Sequence, residues 1–206
     1  PVLDYARFAP VRQGDRIVNK HTRLTGRSPF ILAGMTPTTV DAGIVAAAAN
    51  AGHVAELAGG GQVSRAIFTE RMTELSELLE PGQEVVFNAL HLDPYLWDLH
   101  LGATRLVQQA RAAGAPLCGV TISAGIPERD EALEMLDQWQ QLGLWLNALK
   151  PGSVKQVLAA LEIAAQTDRP LWLHVEGGQA GGHHSWEDLE DLLLATYHRV
   201  REHENV

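Results

Sequence analysis

The sequence predicts an α/β protein, a (β/α)8 barrel of which about six βα units fall within this chain. Three observations carry that prediction. From residue 29 onward, short apolar runs alternate with longer segments of helical period, the pattern of repeated βα units around a parallel sheet. The runs are mostly continuous in apolar character, as strands covered on both faces should be. Each unit is about 30 residues long, one-eighth of a barrel of roughly 250 residues. An open doubly wound sheet is the alternative, and no GxGxxG follows the first run to support it.

Residues 1–28 stand apart, with scattered Lys and Arg and no sustained apolar period. They are expected to form a connecting arm, and 29–206 the barrel unit. The first strand is expected over Phe30–Gly34 (FILAG), followed by an alanine-rich helix over Asp41–Ala51 that Gly52 closes. A second strand over His53–Ala58 leads to a helix over Ser64–Leu79, stopped by Pro81. The third strand, Glu84–Leu90, leads to a helix over Tyr95–Ala113 that runs up to Gly114. The fourth, Leu117–Ile122, leads to a helix over Glu128–Leu142 ending at Gly143. The fifth, Leu144–Leu149, passes through the cap-type residue Ser153 to a helix over Val154–Gln166. The sixth spans Leu171–Glu176, and Ser185 precedes a last helix over Glu187–His203.

Composition narrows the class. A chain of 206 residues with 46% hydrophobic content can bury one substantial core. Its net charge of −9, from 25 acidic against 16 basic residues, leaves no basic patch for phosphates and argues against a nucleic-acid partner. The single Cys118 cannot pair internally, which points to a cytoplasmic setting, and its apolar neighbours mark it as a buried small side chain rather than a reactive thiol. No stretch approaches the roughly 20 consecutive apolar residues of a membrane span, and no signal peptide is visible, so no membrane partner is expected. Pro1 in place of Met suggests a piece of something longer.

Active sites of such barrels form at the C-terminal ends of the strands. Those ends are rich in glycine here. Gly34-Met35-Thr36 follows the first strand, Gly59-Gly60-Gly61 the second and Ser123-Ala124-Gly125 the fourth, while Asn88 lies near the end of the third. Lys150-Pro151-Gly152-Ser153 follows the fifth, and Gly177-Gly178-Gln179-Ala180-Gly181-Gly182-His183-His184 the sixth. One glycine makes a tight turn; the set fits a flat, wide ligand lying across several strand ends.

His183 and His184 sit where a proton donor would meet a substrate, whereas His91, His100, His174, His198 and His203 read as packed or solvated. Glu56 and Glu176 fall in or at the end of apolar strands, so each needs a partner, by interior packing with a cation or for catalysis. Lys150 could meet an anionic part of a cofactor or form a salt bridge to one of those acids. No metal-ligand spacing, GxSxG, P-loop or HExxH is present.

The runs PFILAGMTPTTVDAGIVAAAANAGHVAELAGGG (29–61) and VEGGQAGGHHSWEDL (175–189), together with ALKPGSV (148–154), carry a resemblance. The chain resembles the enoyl reductase domain of the type I multifunctional fatty acid synthases of fungi and certain bacteria. Its AGGH core and early Gly-Met pair are also similar to flavin enoyl reductases acting on acyl carrier protein and to nitronate monooxygenases. The resemblance implies a barrel holding FMN, reduced by NADPH or NADH, that passes hydride to an enoyl thioester carried on acyl carrier protein. By position, Gly34, Met35 and Thr36 would lie against the flavin ring and Asn88 would hydrogen-bond it. Lys150, Gly181 and Gly182 would complete the cofactor side, and His183 would be the catalytic histidine.

The remainder of the synthase polypeptide would be a partner, in a homo-oligomeric parent assembly. The phosphate-gripping loops after a seventh and eighth strand would lie outside this chain, which predicts weak or no FMN binding and no activity by these 206 residues alone. A nitronate monooxygenase-like activity and a catalytically silent structural segment are the alternatives.

Overall fold

The computed structural model describes residues 9–182 and 184–206. Its centre is a six-stranded parallel sheet in which every strand pairs with its neighbours in sequence: β3 (Ile31–Leu32), β4 (Val54–Ala58), β5 (Val85–Leu90), β6 (Leu117–Ser123), β7 (Asn147–Leu149) and β8 (Leu171–Leu173). Consecutive order without a reversal point is barrel topology, and it removes the doubly wound alternative. Helices α2 (Ala42–Asn50), α3 (Arg65–Leu78), α6 (Arg129–Gln141), α7 (Val154–Ala164) and α8 (Leu189–Val200) alternate with the strands. All six expected strands are present. Several are trimmed at their ends, so His174 sits one residue past β8.

Two helices differ from the expectation. The segment expected as one helix over Tyr95–Ala113 is α4 (Pro94–His100) and α5 (Leu106–Ala112), with a break between them. Gly102 packs so closely on Asp98 that a Cβ would lie 2.7 Å from Oδ1, and Arg105 adopts a left-handed φ of 55°. Both features end the α4 turn pattern. The last helix is shorter than Glu187–His203, because Asp188 caps its start and His203 lies in the turn that follows.

Each strand directs alternate side chains inward and outward. The outward set, among it Leu57, Phe87 and Val120, meets Phe68, Leu75 and Trp139 of the helices in the main core. The inward set begins with an apolar layer of one residue from each strand region: Ile31, Val54, Val86, Cys118, Leu146 and Trp172. Burial pushes the Cys118 thiol up to about 12, so it packs as a hydrophobe with no thiolate character.

The arm closes the N-terminal end of this interior. It forms a hairpin, β1 (Val11–Gln13) and β2 (Arg16–Val18), turned at Gly14 with φ 60°, and a short helix α1 (Lys20–Thr25) started by an Asn19–Thr22 capping box. The Arg27 guanidinium donates to the carbonyls of His53 (3.0 Å) and Glu84 (3.3 Å), just before β4 and β5. Trp172 Nε1 donates to His21 Nδ1 at 3.0 Å. These contacts leave the C-terminal strand ends as the open mouth. Among the described residues, no helix is long and apolar enough to cross a membrane.

Candidate functional site

Beyond the apolar layer, toward the C-terminal strand ends, the inward positions of β4, β5 and β6 become polar. Glu56 on β4 is fully buried and accepts three hydrogen bonds: Gly34 N–H and Asn88 Nδ2 both donate to Oε2 at 2.7 Å, and Thr121 Oγ1 donates to Oε1 at 2.6 Å. Asn88 in turn accepts from Ser123 Oγ at 2.7 Å. Four strand regions are thereby tied together through one carboxylate. A Cβ on Gly34 would overlap the Asn88 side chain, with Cγ only 2.7 Å away, so only glycine fits this approach of the β3 end to β5.

His174 completes the ring from the β8 side, with Nδ1 3.4 Å from Glu56 Oε1. Burial holds its imidazole below the usual 6.5; Glu56 opposes that shift, Lys150 adds to it and Glu176 opposes it. The His100 ring, buried between Phe68 and Phe87 with Nε2 2.8 Å from the Gln62 carbonyl, is likewise held below 6.5, mainly by desolvation. Both imidazoles are therefore neutral in the folded protein near pH 7. As pH falls below 6.5 the unfolded chain takes up protons first, so stability fully present above 6.5 is lost on the way down. Thermal melts should show the midpoint falling from pH 6.5 downward, and His100→Leu should flatten part of that fall.

At the mouth, Lys150 Nζ pairs with Glu176 Oε2 at 3.3 Å, both side chains about nine-tenths buried at 10% and 9% exposure. This is one of the two roles open to Lys150 in sequence. Two adjoining cavities share the pair. One, of about 410 Å³, is lined by Ala33, Met35, His174 and Gly181; the other, of about 440 Å³, by Leu92, Gly125, Ser153 and His184. Residues of the first strand region and of the segment that follows the last strand line the 410 Å³ cavity together, so the sheet is curled. A third cavity of about 330 Å³ lies between α1, β8 and α8, away from the mouth, with a wall almost entirely apolar.

The structure gathers most of the residues read from sequence. Met35 reaches the glycine-rich loop, where a Cβ on Gly181 would lie 2.7 Å from its Sδ. Gly182 takes a left-handed φ of 77°. Thr36 packs on Gly60, leaving no room for a side chain there. His184 is exposed, its Nδ1 3.1 Å from the Gly182 carbonyl. His183 lies outside the described residues. Sequence reasoning read His174 as packed or hydrogen-bonded, which agrees with its place beside Glu56, but did not foresee its central position or the role of Thr121. The available signal was the two-residue spacing Trp172-His174-Glu176, which places all three on one strand face.

Such an arrangement can orient a polar, planar ligand across the mouth, exclude water below it and hold a neutral imidazole against a carboxylate.

Comparison with known proteins shows what this chain is similar to. A family model described as "Fatty acid synthase subunit beta/Fas1-like, helical" matches residues 170–206. The chain is 36% identical over 193 residues to the fatty acid synthase subunit beta of Saccharomyces cerevisiae, covering 92% of this chain and 9% of that protein. It is 39% identical over 188 residues to the corresponding subunit of Schizosaccharomyces pombe, covering 90% of this chain and 9% of that one. Fatty acid synthase beta subunit aflB of Emericella nidulans is 37% identical over 97% of this chain, again 9% of its own length.

In fold, FabK (M276A mutant) of Thermotoga maritima superposes with a TM-score of 0.51 at 14% identity, covering 74% of this chain and 55% of that one. The fold is thus α/β, a curled parallel sheet of six barrel-type units. The chain spans about a tenth of the length of these relatives, and over 90% or more of its own length it is homologous to one segment of the fatty acid synthase beta subunit.

Proposed function

We propose that residues 29–206 form the flavin-ring side of an FMN-dependent enoyl reductase site in a fatty acid synthase, joined to neighbouring segments by the arm 1–28. One observation carries the reading. A buried polar ring of Glu56, Asn88, Thr121 and His174 lies at the strand ends, under glycine-lined cavities, in a chain homologous to the synthase beta subunit. Cavities of about 410 and 440 Å³ side by side suit a cofactor and a substrate, as ligand sites commonly run from about 300 to 1,000 Å³. His174 Nε2 and Glu176 Oε1 are buried without a hydrogen-bond partner, which fits a polar ligand there.

When bound, FMN would carry hydride from NADPH or NADH to the β-carbon of an enoyl thioester held on acyl carrier protein. The protein's part is positioning. Gly34, Met35 and Thr36 would support the ring; Gly181 and Gly182 would let backbone approach it; Asn88 and Lys150 would contact its polar edge. His183 would supply a proton or polarise the thioester carbonyl. The rest of the synthase polypeptide would complete the site within a homo-oligomeric assembly.

The test is His183→Ala in the active polypeptide that carries these residues, assayed with a crotonyl thioester and separately with an alkyl nitronate. Loss of a proton donor should lower enoyl reduction by about a hundredfold or more with flavin content unchanged. Unchanged enoyl reduction would remove the catalytic assignment, and turnover of the nitronate alone would replace the reaction.

A further inference from the structure

The polar ring contains a contradiction that the protein itself does not resolve. Glu56 is satisfied three times over, yet His174 Nε2 and Glu176 Oε1, two positions apart in the segment that follows β8, have no partner. A buried acceptor left bare costs about 1–3 kcal/mol. Two of them beside one cavity are best explained by something that binds there.

Their chemistry limits what that is. The Glu56 carboxylate faces His174 Nδ1 and favours the tautomer with its proton there, leaving Nε2 a bare acceptor. Glu176 Oε1 is also an acceptor. Lys150 Nζ, held 3.3 Å from the other Glu176 oxygen, keeps donors to spare and lines the same cavity. An acceptor pair beside a cationic donor is complementary to an N–H adjoining a carbonyl on one edge of a planar ring.

We infer that His174, Glu176 and Lys150 form a recognition site for a cyclic imide edge, the N–H received by the His174–Glu176 pair and the adjoining carbonyl by Lys150. Resting on the flavin reading above, the edge is the imide side of the isoalloxazine ring. His174 is a positioning residue, and Glu56 fixes its tautomer. The covering loop contributes Gln179, Ala180 and Gly181 to the cavity wall, and the small Ala180 and Gly181 leave the edge an approach.

The test compares FMN with 3-methyl-FMN, which lacks the imide N–H, by fluorescence quenching on apoprotein of the active polypeptide that carries these residues. FMN should bind about tenfold or more tightly than the methylated analogue, the value of one hydrogen bond to a buried acceptor. His174→Leu should weaken FMN and largely erase the discrimination, whereas His174→Gln, which keeps an acceptor, should retain it. Should His174→Leu fail to fold, the two ligands on the unsubstituted protein still decide. Equal affinities there, or discrimination undiminished in a folded His174→Leu protein, would overturn the assignment and leave the flavin reading standing. Absence of binding by either flavin would overturn both.

Discussion

Glu56→Ala is expected to cost about 4 kcal/mol or more, a large share of the roughly 5–15 kcal/mol that holds a domain folded. The substitution strands three donors at once: the Gly34 amide, the Asn88 amide and the Thr121 hydroxyl, all within 2.7 Å of the carboxylate. Water cannot readily replace the lost acceptor for two of them, since Asn88 and Thr121 are buried at 2% and 0% exposure. Replacing a whole polar cluster by apolar groups can be neutral; removing only its hub is not. Glu56→Gln separates these ideas. It keeps the shape and one carbonyl oxygen, and the Thr121 hydroxyl can turn to accept from the new amide, so roughly half the loss should return. Denaturant unfolding of the two variants checks this, and an Ala variant as stable as the parent would show that the ring is not what holds the mouth.

The second large effect is expected at Gly119 on β6. A Cβ there would fall onto the Leu146 carbonyl oxygen and lie 2.5 Å from its carbonyl carbon. The backbone cannot move aside, because Trp145 N–H and Leu146 N–H both donate to the Cys118 carbonyl, at 2.8 and 3.0 Å, and hold β7 against β6. Gly119→Ala should therefore cost about 3 kcal/mol or more and loosen the approach of β7, which carries Lys150 at its end. Gly43 is the control. It lies in α2 with open space around its Cβ position, and Gly43→Ala should stabilise by about 0.5–1 kcal/mol. Equal effects at the two glycines would contradict the packing described.

The six strand regions were legible because buried parallel strands announce themselves as short apolar runs, and Glu56, Lys150 and Glu176 stood out as charges in or against such runs. The α4–α5 break was hidden because a glycine within a helical period looks the same whether tolerated or terminal. The β1–β2 hairpin was overlooked although Gly14-Asp15 is a two-residue turn, since its strands are only three residues each and exposed. At the site, sequence showed which residues end strands. It did not show that the β4, β5, β6 and β8 ends lean on one carboxylate, which depends on sheet curl and on the close approach that Gly34 permits. His174 was discounted for that reason, because its importance lies in a partner 118 positions away, Glu56.

The most direct test of the central claim is to follow flavin absorbance anaerobically in the active polypeptide that carries these residues, first with NADPH or NADH and then with an enoyl thioester. The account predicts that the nicotinamide bleaches a bound flavin and that the enoyl thioester restores its colour, with both steps lost or slowed when Asn88 or His174 is replaced. A polypeptide that reduces enoyl thioesters without bound flavin, or a reduced flavin that the thioester leaves bleached, would contradict it.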